Sequence, residues 1–513
     1  MNTGKICVSV GAETAGEFVE NIERAVEIAD VVELRFDCLK ESELDSALRK
    51  FSILDAEKPF IITFRPREQG GRREISFGER VKFWQAFFHK NKRKNIYVDF
   101  EFDLQTVFNL KTTESIVSFH DFSGVSENLS TVFEILKITN AEILKIAARA
   151  DDITDALAVW KLLDGARAEN KKLVPIAMGE AGKWTRILGL AYGAPLAYAA
   201  LDVGSETAAG QLTIAEMIDV YRVKQLNEQT EIYGVVGNPI AQSLSPLMHN
   251  AAFKFYDLNA VYIPFEVKNL NDFVRRMVEK PTCELDWNLR GFSVTMPHKQ
   301  AIVEHLDETD DAARAIGAVN TVKIADGKLC GFNTDADGFI APLRNAYGDL
   351  RGARVALLGS GGAARACIYA LKNEDANITI FARNLKKAER LAADFDIDLK
   401  QFLKTEDQKP KTDFNDFDVL INATPLGTKG AFENETPAIA AQIENVKLVY
   451  DLIYNPFETK LMSEARKKSV PTVGGLAMLV AQGAKQFEIW TEKAAPLREM
   501  SRAALRKVKN QKQ

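Results

Sequence analysis

Short apolar segments recur at intervals of roughly 25 to 30 residues through the first part of the chain, and this spacing limits the fold more than any other sequence feature. Between most of them lie charged segments with apolar residues at helical spacing, such as 17–28 and 153–163. A strand followed by a helix, repeated eight times, closes into a (β/α)8 barrel. The sequence therefore predicts an N-terminal barrel with strands at Ile6–Val10, Val31–Phe36, Phe60–Phe64, Ile96–Phe102, Ile116–Phe119, Ile143–Ala147, Leu173–Met178 and Leu196–Leu201.

The second half of the chain follows a polar segment, residues 223–231, and again alternates strands and helices. It contains a strand at Val355–Leu358, a glycine-rich turn at 359–362 and a helical pattern directly after it. A glycine turn between a parallel strand and a helix is typical of nucleotide-binding α/β sheets. We therefore place a domain boundary near residue 227 and expect an α/β fold on both sides of it.

Composition and charge exclude several functional classes. The 513 residues are 46% apolar, and 66 basic against 71 acidic residues give a net charge of −5, which argues against nucleic acid as a partner. No uncharged segment reaches the roughly 18 apolar residues of a membrane-spanning helix, and the N-terminus lacks the pattern of a signal peptide. We expect a soluble protein with no membrane partner and a frayed, solvated basic tail at 502–513.

Five cysteines are scattered along the chain without the spacing of a zinc site or the density of a disulfide framework. They favour a reducing, cytoplasmic setting, and the equally scattered histidines offer no ligand cluster, so we predict no metal site. The cysteines are Cys7, Cys38, Cys283, Cys330 and Cys367.

Polar residues close several apolar runs of the first half, where the strands of a barrel carry their reacting groups. Glu33 and Arg35 alternate on one run and point to the same side, Arg65 ends the third run, His120 ends the fifth, and Lys145 lies inside the sixth. These positions predict a catalytic site. The arginines that would supply charge for a carboxylate-bearing substrate are Arg35, Arg65 and Arg186.

Lys145 has aliphatic neighbours on both sides, in the run Ile143–Ala147. Burying an unpaired ammonium is costly, and such a group escapes by losing its proton. A neutral amine can form a Schiff base with a ketone, and His120 on the neighbouring strand would move protons during imine formation and elimination. The pattern alone leaves a second interpretation open, in which Lys145 extends from a strand edge into solvent and His120 lies near the surface.

The order of these residues is similar to that of a known family. The first half resembles type I 3-dehydroquinate dehydratases in six motifs, which are Glu33-Leu-Arg35-Phe-Asp37, Thr63-Phe-Arg65-Pro with Gly70-Gly71, Ser118-Phe-His120-Asp-Phe122, Leu144-Lys145-Ile146-Ala147, Met178-Gly179 with Arg186, and Gly210-Gln211. The resemblance implies that Lys145 forms an imine with the C3 ketone of 3-dehydroquinate and that His120 is the general acid and base. The residues implied to hold the hydroxyls and carboxylate of the ring are Glu33, Arg35, Arg65, Arg186, Thr207 and Gln211.

One position departs from this family. Many relatives carry Glu directly before the Gly-Gly pair, where it can pair with the catalytic histidine, but this chain has Gln69 there and Glu68 one place earlier. A neutral amide cannot stabilise an imidazolium as a carboxylate does, so a different tuning of His120 is expected. We expect the charged loop 65–74 to fold over the substrate, while an ordinary solvated loop is the alternative.

The glycine turn Gly359-Ser-Gly361-Gly-Ala-Ala364 lets backbone amides approach a pyrophosphate at a helix N-terminus. The next strand ends in Arg383 and Asn384, where an NAD-selective fold often has an acidic residue for the ribose 2′-hydroxyl. An arginine at this position suits the 2′-phosphate of NADP, and a surface arginine is the alternative. The sequence therefore favours NADPH as the cofactor of the second half.

Hydroxyl, amide and ionic groups end the apolar runs before this turn, as a polyhydroxylated carboxylate would require. Lys299 and Asp335 can form an ionic pair at the centre of such a site, or a plain surface salt bridge; spacing does not decide between them. His298, beside Lys299, is taken as incidental. The segments concerned are Gly237 to Pro246, Val294 to Lys299, Gly317 to Thr321 and Asn333 to Asp335.

With Asn422-Ala-Thr-Pro-Leu-Gly427, Tyr450 to Tyr454 and Gly475 to Gln482, these motifs resemble shikimate dehydrogenases over residues 230 to 500. The resemblance implies proton transfer at the C3 oxygen by Lys299 and Asp335. It implies a catalytic lobe at 230–340 completed by a C-terminal helix at 476–510, and a Rossmann-type NADP lobe at 341–475. The implied substrate-binding residues are Ser243, Ser245, Thr295, Asn320, Tyr454 and Gln482. The implied cofactor-binding residues are Gly359, Gly361, Gly362, Ala363, Arg383, Asn384, Thr424 and Gly475.

The product of the first reaction, 3-dehydroshikimate, is the substrate of the second, so the order of the halves resembles a bifunctional fusion of aromatic amino-acid biosynthesis, with the dehydratase barrel at 1–226. Two alternatives stay open. One is a catabolic fusion that oxidises quinate or shikimate, with NAD in the case of quinate. The other is a sensor that binds ring acids without turning them over.

Overall fold

The computed structural model describes residues 2–91, 93–108, 114–124, 128–403 and 410–510. The chain divides into two compact units. The first consists of residues 1–232, 238–241 and 259–289, and the second of residues 233–237, 242–258 and 290–513. The division of the sequence into domains at 1–226, 230–340 and 341–475 stays a prediction.

The predicted barrel is confirmed as eight parallel strands, hydrogen-bonded in the order β7-β6-β5-β4-β3-β2-β1-β8. Each strand is a run of buried residues, as expected for a parallel sheet covered on both faces. The strands are β1 Lys5–Val10, β2 Val31–Arg35, β3 Phe60–Thr63, β4 Ile96–Glu101, β5 Ser115–Asp121, β6 Ile143–Arg149, β7 Lys172–Met178 and β8 Leu196–Ala200. The helices between them are α1 Ala15–Ile28, α2 Leu44–Ile53, α3 Phe77–Lys90, α4 Leu129–Lys137, α5 Ala156–Ala168 and α6 Lys183–Leu188.

Helix α1 shows how the local sequence sets these elements. The Thr14 hydroxyl caps the helix by accepting a hydrogen bond from the backbone N–H of Glu17. Phe18, Ile22 and Ala25 follow at spacings of four and three residues and are all buried. One apolar face therefore packs on the strands while the charged face remains in solvent.

The second half of the chain supplies the remaining elements. Its strands are β9 Glu231–Gly237, β10 Ala260–Glu266, β11 Leu289–Val294, β12 Glu308–Thr309, β13 Thr321–Ala325, β14 Lys328–Phe332, β15 Arg354–Leu358, β16 Asn377–Ala382, β17 Asp398–Gln401, β18 Val419–Asn422, β19 Leu448–Asp451 and β20 Thr472–Gly474. Its helices are α7 Ser245–Phe255, α8 Leu270–Phe273, α9 Asp311–Ile316, α10 Asp335–Tyr347, α11 Gly362–Lys372, α12 Leu385–Phe395, α13 Lys460–Lys467, α14 Gly475–Thr491 and α15 Leu497–Asn510. Of these, β10 and α8 belong to the first compact unit.

The second unit contains two sheets. A mixed sheet includes the strands β9-β11-β13-β14-β12 in that order. A parallel sheet has the order β17-β16-β15-β18-β19-β20, and separate apolar clusters cover its two faces. Starting from β15, this is the 3-2-1-4-5-6 strand order of a Rossmann fold, as the glycine turn predicted.

Two expectations about the C-terminus were wrong. The helix expected over 476–510 is a pair of helices, because α14 ends at Thr491 and α15 begins at Leu497. The basic tail is not frayed as far as residue 510, since α15 buries Ala504 and Val508 on its apolar face. The last three residues lie outside the described part of the chain. Within that part, no helix has the length and hydropathy needed to span a bilayer.

Candidate active sites

The carboxyl ends of the barrel strands surround one cleft. Its walls include Lys145, His120 and all six residues expected to bind substrate in the first half, together with Gln69. The fold therefore brings these residues together, although they come from six different strands, helices and loops. The apolar part of the lining consists of Phe122, Ala147, Ile176, Met178, Tyr198 and Ala208.

Lys145 is buried inside this cleft, with 4% of its surface exposed, which rules out a side chain extending into solvent. Its Nζ donates a hydrogen bond to Asp99 Oδ2 at 3.0 Å and lies 3.7 Å from Glu33 Oε1. The ammonium also lies 4.1 Å from the ring centroid of Tyr198. The premise of an unpaired ammonium was wrong, because two carboxylates and an aromatic face surround the amine.

His120 is held by an arginine instead of a carboxylate. Nη1 of Arg65 lies 2.8 Å from His120 Nε2. A guanidinium can only donate, so Nε2 accepts and the ring proton is on Nδ1, which makes His120 neutral in this arrangement. Burial lowers the pKa of His120 well below its usual value, and the charges of Arg65, Lys145 and Arg35 act in the same direction. His120 is therefore neutral, and it can accept a proton at Nε2 only when the contact with Arg65 is given up.

Two buried carboxylates complete the cluster and were missed from the sequence. Burial opposes ionisation of Asp99, but the charges of Arg65 and Lys145 outweigh it and lower its pKa to about 2. Glu101 accepts from Arg65 Nε at 3.2 Å, and burial together with Asp99 raises its pKa to about 7. Both residues interrupt the apolar run of β4, which is the signal that identified Lys145 in β6.

Arg186 is a buried cation without an anionic partner among the described residues. It lies on α6, is 4% exposed, and donates only from Nη2 to the carbonyl of Ala209 at 3.4 Å. Its Nε has no hydrogen-bond partner in the same part of the chain, and burial lowers its pKa to about 10. A buried guanidinium with spare donors at the wall of a cleft has the chemistry to bind a carboxylate.

The other predicted residues of this cleft are already hydrogen-bonded. Glu33 accepts from the hydroxyls of Ser9 and Thr63, at 2.5 and 2.8 Å. Arg35 forms a two-point ion pair with Asp37. Gln211 Oε1 accepts from the backbone N–H and the hydroxyl of Thr207, at 2.8 and 3.2 Å. These contacts fix the side chains that border the cleft before any ligand binds.

The loop 65–74 contacts the opposite edge of the cleft. Arg72 Nη2 donates to the carbonyl of Glu206 at 3.1 Å, beside Thr207, and its backbone N–H donates to Asp37. Gly70, at a φ of +87°, accepts from Arg35 Nη2 through its carbonyl. Closure of this loop over a substrate stays a prediction.

The second unit brings four predicted residues into one hydrogen-bonded cluster. Lys299 Nζ contacts Asp335 Oδ2, and Asn320 Nδ2 donates to Asp335 Oδ1 at 2.8 Å and to Gln482 Oε1 at 3.4 Å. Asp335 is buried at the start of α10, while the Lys299 side chain is 22% exposed. The pair is therefore partly buried in a polar cluster, and a plain surface salt bridge is excluded.

The remaining predicted substrate residues of the second half lie at the ends of their elements. Ser243 Oγ accepts from the backbone N–H of Ser245, the first residue of α7. Thr295 directly follows β11, and its backbone N–H donates to the carbonyl of Val236. Tyr454 follows β19, where burial raises the pKa of its phenol. Their roles in binding stay predictions.

A second cleft lies at the carboxyl edge of the parallel sheet and has the features of a dinucleotide site. Gly359, Gly361, Arg383, Asn384 and Thr424 all line it. Gly359 has a φ of +114°, and a Cβ there would lie 2.8 Å from the carbonyl oxygen of Ala423, so glycine is required. The other predicted cofactor residues are not among those lining the cleft; they are Gly362 and Ala363 in the first turn of α11 and Gly475 at the start of α14.

Arg383 is exposed at the rim of this cleft and has no ion-pair partner in the described part of the chain. Its guanidinium is available to a phosphate. No group of three metal-ligating side chains occurs among the described residues, and all five cysteines are free thiols.

Four family models match successive parts of the chain. They describe type I 3-dehydroquinase at residues 6–228, the substrate-binding domain of shikimate dehydrogenase at 235–322, shikimate / quinate 5-dehydrogenase at 343–452, and the C-terminal domain of shikimate 5′-dehydrogenase at 475–505.

The chain is also 32% identical over 525 aligned residues to the chloroplastic bifunctional 3-dehydroquinate dehydratase/shikimate dehydrogenase of Arabidopsis thaliana, across 96% of this chain and 83% of that relative. The chain belongs to the bifunctional dehydratase/dehydrogenase family. The second half alone is 41% identical to the shikimate dehydrogenase (NADP(+)) of Methanopyrus kandleri, covering 55% of this chain and 97% of the relative. A crystal structure of shikimate 5-dehydrogenase from Thermus thermophilus in complex with NADP(H) and shikimate is 33% identical, with a TM-score of 0.46, and matches 54% of this chain and 98% of that chain.

Proposed function

We propose that this member of the bifunctional family catalyses two consecutive steps of the shikimate pathway. The barrel dehydrates 3-dehydroquinate to 3-dehydroshikimate through an imine on Lys145, and the second unit reduces 3-dehydroshikimate to shikimate with NADPH. One observation carries the proposal. A buried amine, a neutral histidine and an unpaired arginine border a single cleft, and these are the groups that a ketone bearing a carboxylate requires.

In the barrel, Arg186 would bind the carboxylate of the substrate and so bring its ketone to Lys145. Lys145 passes one proton to His120 and the free amine attacks the ketone carbon; the same proton then leaves with the ketone oxygen as water, which gives a protonated imine. His120 then removes the proton on the adjacent carbon and gives it to the hydroxyl one carbon further, which leaves as water. Hydrolysis of the imine releases product and the amine. Asp99 stabilises a protonated imine as it stabilises the ammonium, because both are cations at the same nitrogen.

Trapping by borohydride tests the first step. Sodium borohydride added with 3-dehydroquinate reduces the imine to a stable secondary amine, and mass spectrometry of the digested protein should find the adduct on the peptide that contains Lys145. Lys145→Ala should abolish the adduct and reduce kcat by at least about 1,000-fold. Lys172→Ala, which changes an exposed lysine at the start of β7, should leave both unchanged. A folded protein that binds substrate but gives no adduct would support a sensor.

In the second unit, Lys299 and Asp335 would hold and move the proton at the C3 oxygen, with Asn320 and Gln482 fixing the carboxylate of Asp335 and the substrate hydroxyls. Ser243, Ser245, Thr295 and Tyr454 are proposed to complete the substrate site.

The parallel-sheet cleft fits NADP. Gly359 lets the turn approach the backbone of Ala423 at the edge of the cleft, and the exposed Arg383 is free to bind a 2′-phosphate. NADPH, when bound, supplies the hydride. The proposed cofactor site also includes Gly362 and Ala363, in the first turn of α11, and Gly475, at the start of α14.

Cofactor choice tests this assignment. Arg383→Ser should raise KM for NADPH by about 10- to 100-fold while changing KM for NADH little, since only NADPH loses a charge-assisted phosphate contact. Arg351→Ser, at an exposed arginine before β15, is the matched control and should change neither. Equal or better rates with NAD and quinate than with NADP and shikimate would contradict the biosynthetic assignment.

The proposal includes a cytoplasmic location, with small ring acids as the partners and with no nucleic acid or membrane. Free thiols at all five cysteines support a reducing compartment. The Arabidopsis relative is described as chloroplastic.

The proposed domains are the barrel at 1–226, the catalytic lobe at 230–340 with the C-terminal helices, and the NADP lobe at 341–475.

A further inference from the structure

Helix α6 has two functional faces. Arg186 points from it into the barrel cleft, whereas Trp184 is two residues away, and residues two apart on a helix do not share a face. Trp184 is fully buried on the outer side of the helix. Residues that pack against Trp184 therefore support α6 on the side opposite to Arg186.

The partner of Trp184 comes from the second half of the sequence. The ring of Trp184 lies 6.0 Å from the ring of Trp287, which in turn lies 5.7 Å from Phe265 of β10. On the other side, Trp184 packs at 4.7 Å against Trp160 of α5. We call Trp160, Trp184, Phe265 and Trp287 the aromatic seam. Trp287 is itself fixed, because its Nε1 donates to the carbonyl of Met277 at 2.9 Å.

Polar contacts flank the seam on the same side of the barrel. Asp152, which follows β6, accepts hydrogen bonds from the backbone N–H groups of Lys268 and Asn269, at 2.6 and 3.2 Å. Lys161 of α5 pairs with Glu284 at 2.6 Å. Residues 259–289 thus pack on the barrel within one compact unit, although the family model assigns them to the substrate-binding domain of the dehydrogenase.

Arg186 depends on this support because little else holds it. It has no anionic partner among the described residues, and its one hydrogen bond, to the carbonyl of Ala209, is long at 3.4 Å. Its position is therefore set by the backbone of α6, a helix of only six residues. By contrast, Arg35 is fixed by a two-point contact with Asp37.

We infer that residues 259–289 of the dehydrogenase half form a structural part of the dehydratase site, with Trp287 as a positioning residue that holds α6 and so places Arg186 for the substrate carboxylate. This inference rests on the proposed function of the barrel for the identity of the ligand. The packing of α6 against Trp287 does not depend on that function, so the two can be tested separately.

Amide hydrogen exchange on the full chain tests the packing without any reaction. Trp287→Ala should speed the exchange of residues 183–188 by about tenfold or more, because local opening of α6 becomes easier. Trp287→Phe keeps an aromatic ring in the seam and should restore most of the protection. Lys161→Ala breaks the half-exposed ion pair on the same face and should leave α6 unchanged. If Trp287→Ala does not fold, Trp287→Leu, which keeps an apolar side chain, takes its place.

Steady-state kinetics test the consequence for Arg186. Trp287→Ala should raise the dehydratase KM by about three- to tenfold with kcat within about twofold, the pattern of lost binding. Arg186→Ala should raise KM further, and adding Trp287→Ala to it should produce no additional increase, since the tryptophan acts through the arginine.

Unchanged exchange of residues 183–188 in the tryptophan variants would overturn the inference, as would additive effects of the two substitutions on KM. If the wild-type protein shows no dehydratase activity, the proposed function fails, and the exchange experiment still decides whether the seam holds α6.

Discussion

The barrel cleft contains two buried cations that differ in their partners. Lys145 lies against the carboxylate of Asp99, whereas Arg186 has no carboxylate among the described residues and has a pKa lowered to about 10 by burial. Burial of an unpaired charge costs free energy, and that cost is recovered when a ligand supplies the missing anion. The uneven pairing supports the proposed division of roles, in which Lys145 carries the covalent chemistry and Arg186 binds the substrate carboxylate.

His120 should make the protein less stable at acidic pH. Its pKa is well below 6.5 in the folded chain, so below pH 6.5 the unfolded chain binds a proton that the folded chain does not. The contribution of His120 to stability should fall by up to about 1.4 kcal/mol for each pH unit below 6.5 until the folded pKa is reached. Between pH 6.5 and 5.5, urea unfolding should show the wild type losing about 1 kcal/mol more stability than His120→Asn, whose amide oxygen can still accept from Arg65; the raised pKa of Glu101 acts equally in both.

His89→Asn is the control for this experiment, because His89 lies exposed in the last turn of α3. It should keep the pH dependence of the wild type. Equal losses of stability in the wild type and His120→Asn would show that His120 is not held neutral by its surroundings.

The loop 65–74 is the element that borders the barrel cleft on the solvent side. Gly70 lies in the left-handed region, and a Cβ there would lie 2.4 Å from the ring of Phe122. Gly70→Ala should therefore lower the free energy of unfolding by about 1–2 kcal/mol. It should also raise the dehydratase KM, since the carbonyl of Gly70 holds Arg35. Urea unfolding and steady-state kinetics measure the two effects.

Gly78→Ala should change the free energy of unfolding in the opposite direction. Gly78 lies in α3 with no atom within 4 Å of its added Cβ, so alanine should stabilise the helix by about 0.5–1 kcal/mol and leave KM unchanged. If Gly70→Ala behaved like Gly78→Ala, the backbone of the loop would not be constrained as described.

Elements with a simple pattern were predictable from the sequence. Buried parallel strands are continuous apolar runs, so the eight barrel strands were located nearly to the residue. Their polar ends identified Arg65 and His120, and a lysine inside an apolar run identified Lys145. The contacts among these side chains were not predictable. Asp99 comes from β4, two strands from Lys145, and the order of the strands in the sheet brings both carboxylates of β4 against Arg65 and brings Asp99 against the amine.

At the scale of the molecule, the boundary between the two compact units does not fall at a single point in the sequence. Residues 259–289 follow the predicted boundary near 227, yet they pack with the barrel. A sequence pattern shows where an apolar face lies but not which surface covers it, so Trp184 and Trp287 gave no sign of their contact. The match of one relative to 96% of the chain fits two activities on one polypeptide.

A coupled assay tests the central claim most directly. The purified chain, given 3-dehydroquinate and NADPH and no other enzyme, should oxidise NADPH and form shikimate. Lys145→Ala should lose this reaction but still oxidise NADPH at the wild-type rate when 3-dehydroshikimate is supplied, and Lys299→Ala should fail with either substrate. Normal turnover of 3-dehydroquinate by Lys145→Ala would contradict the account.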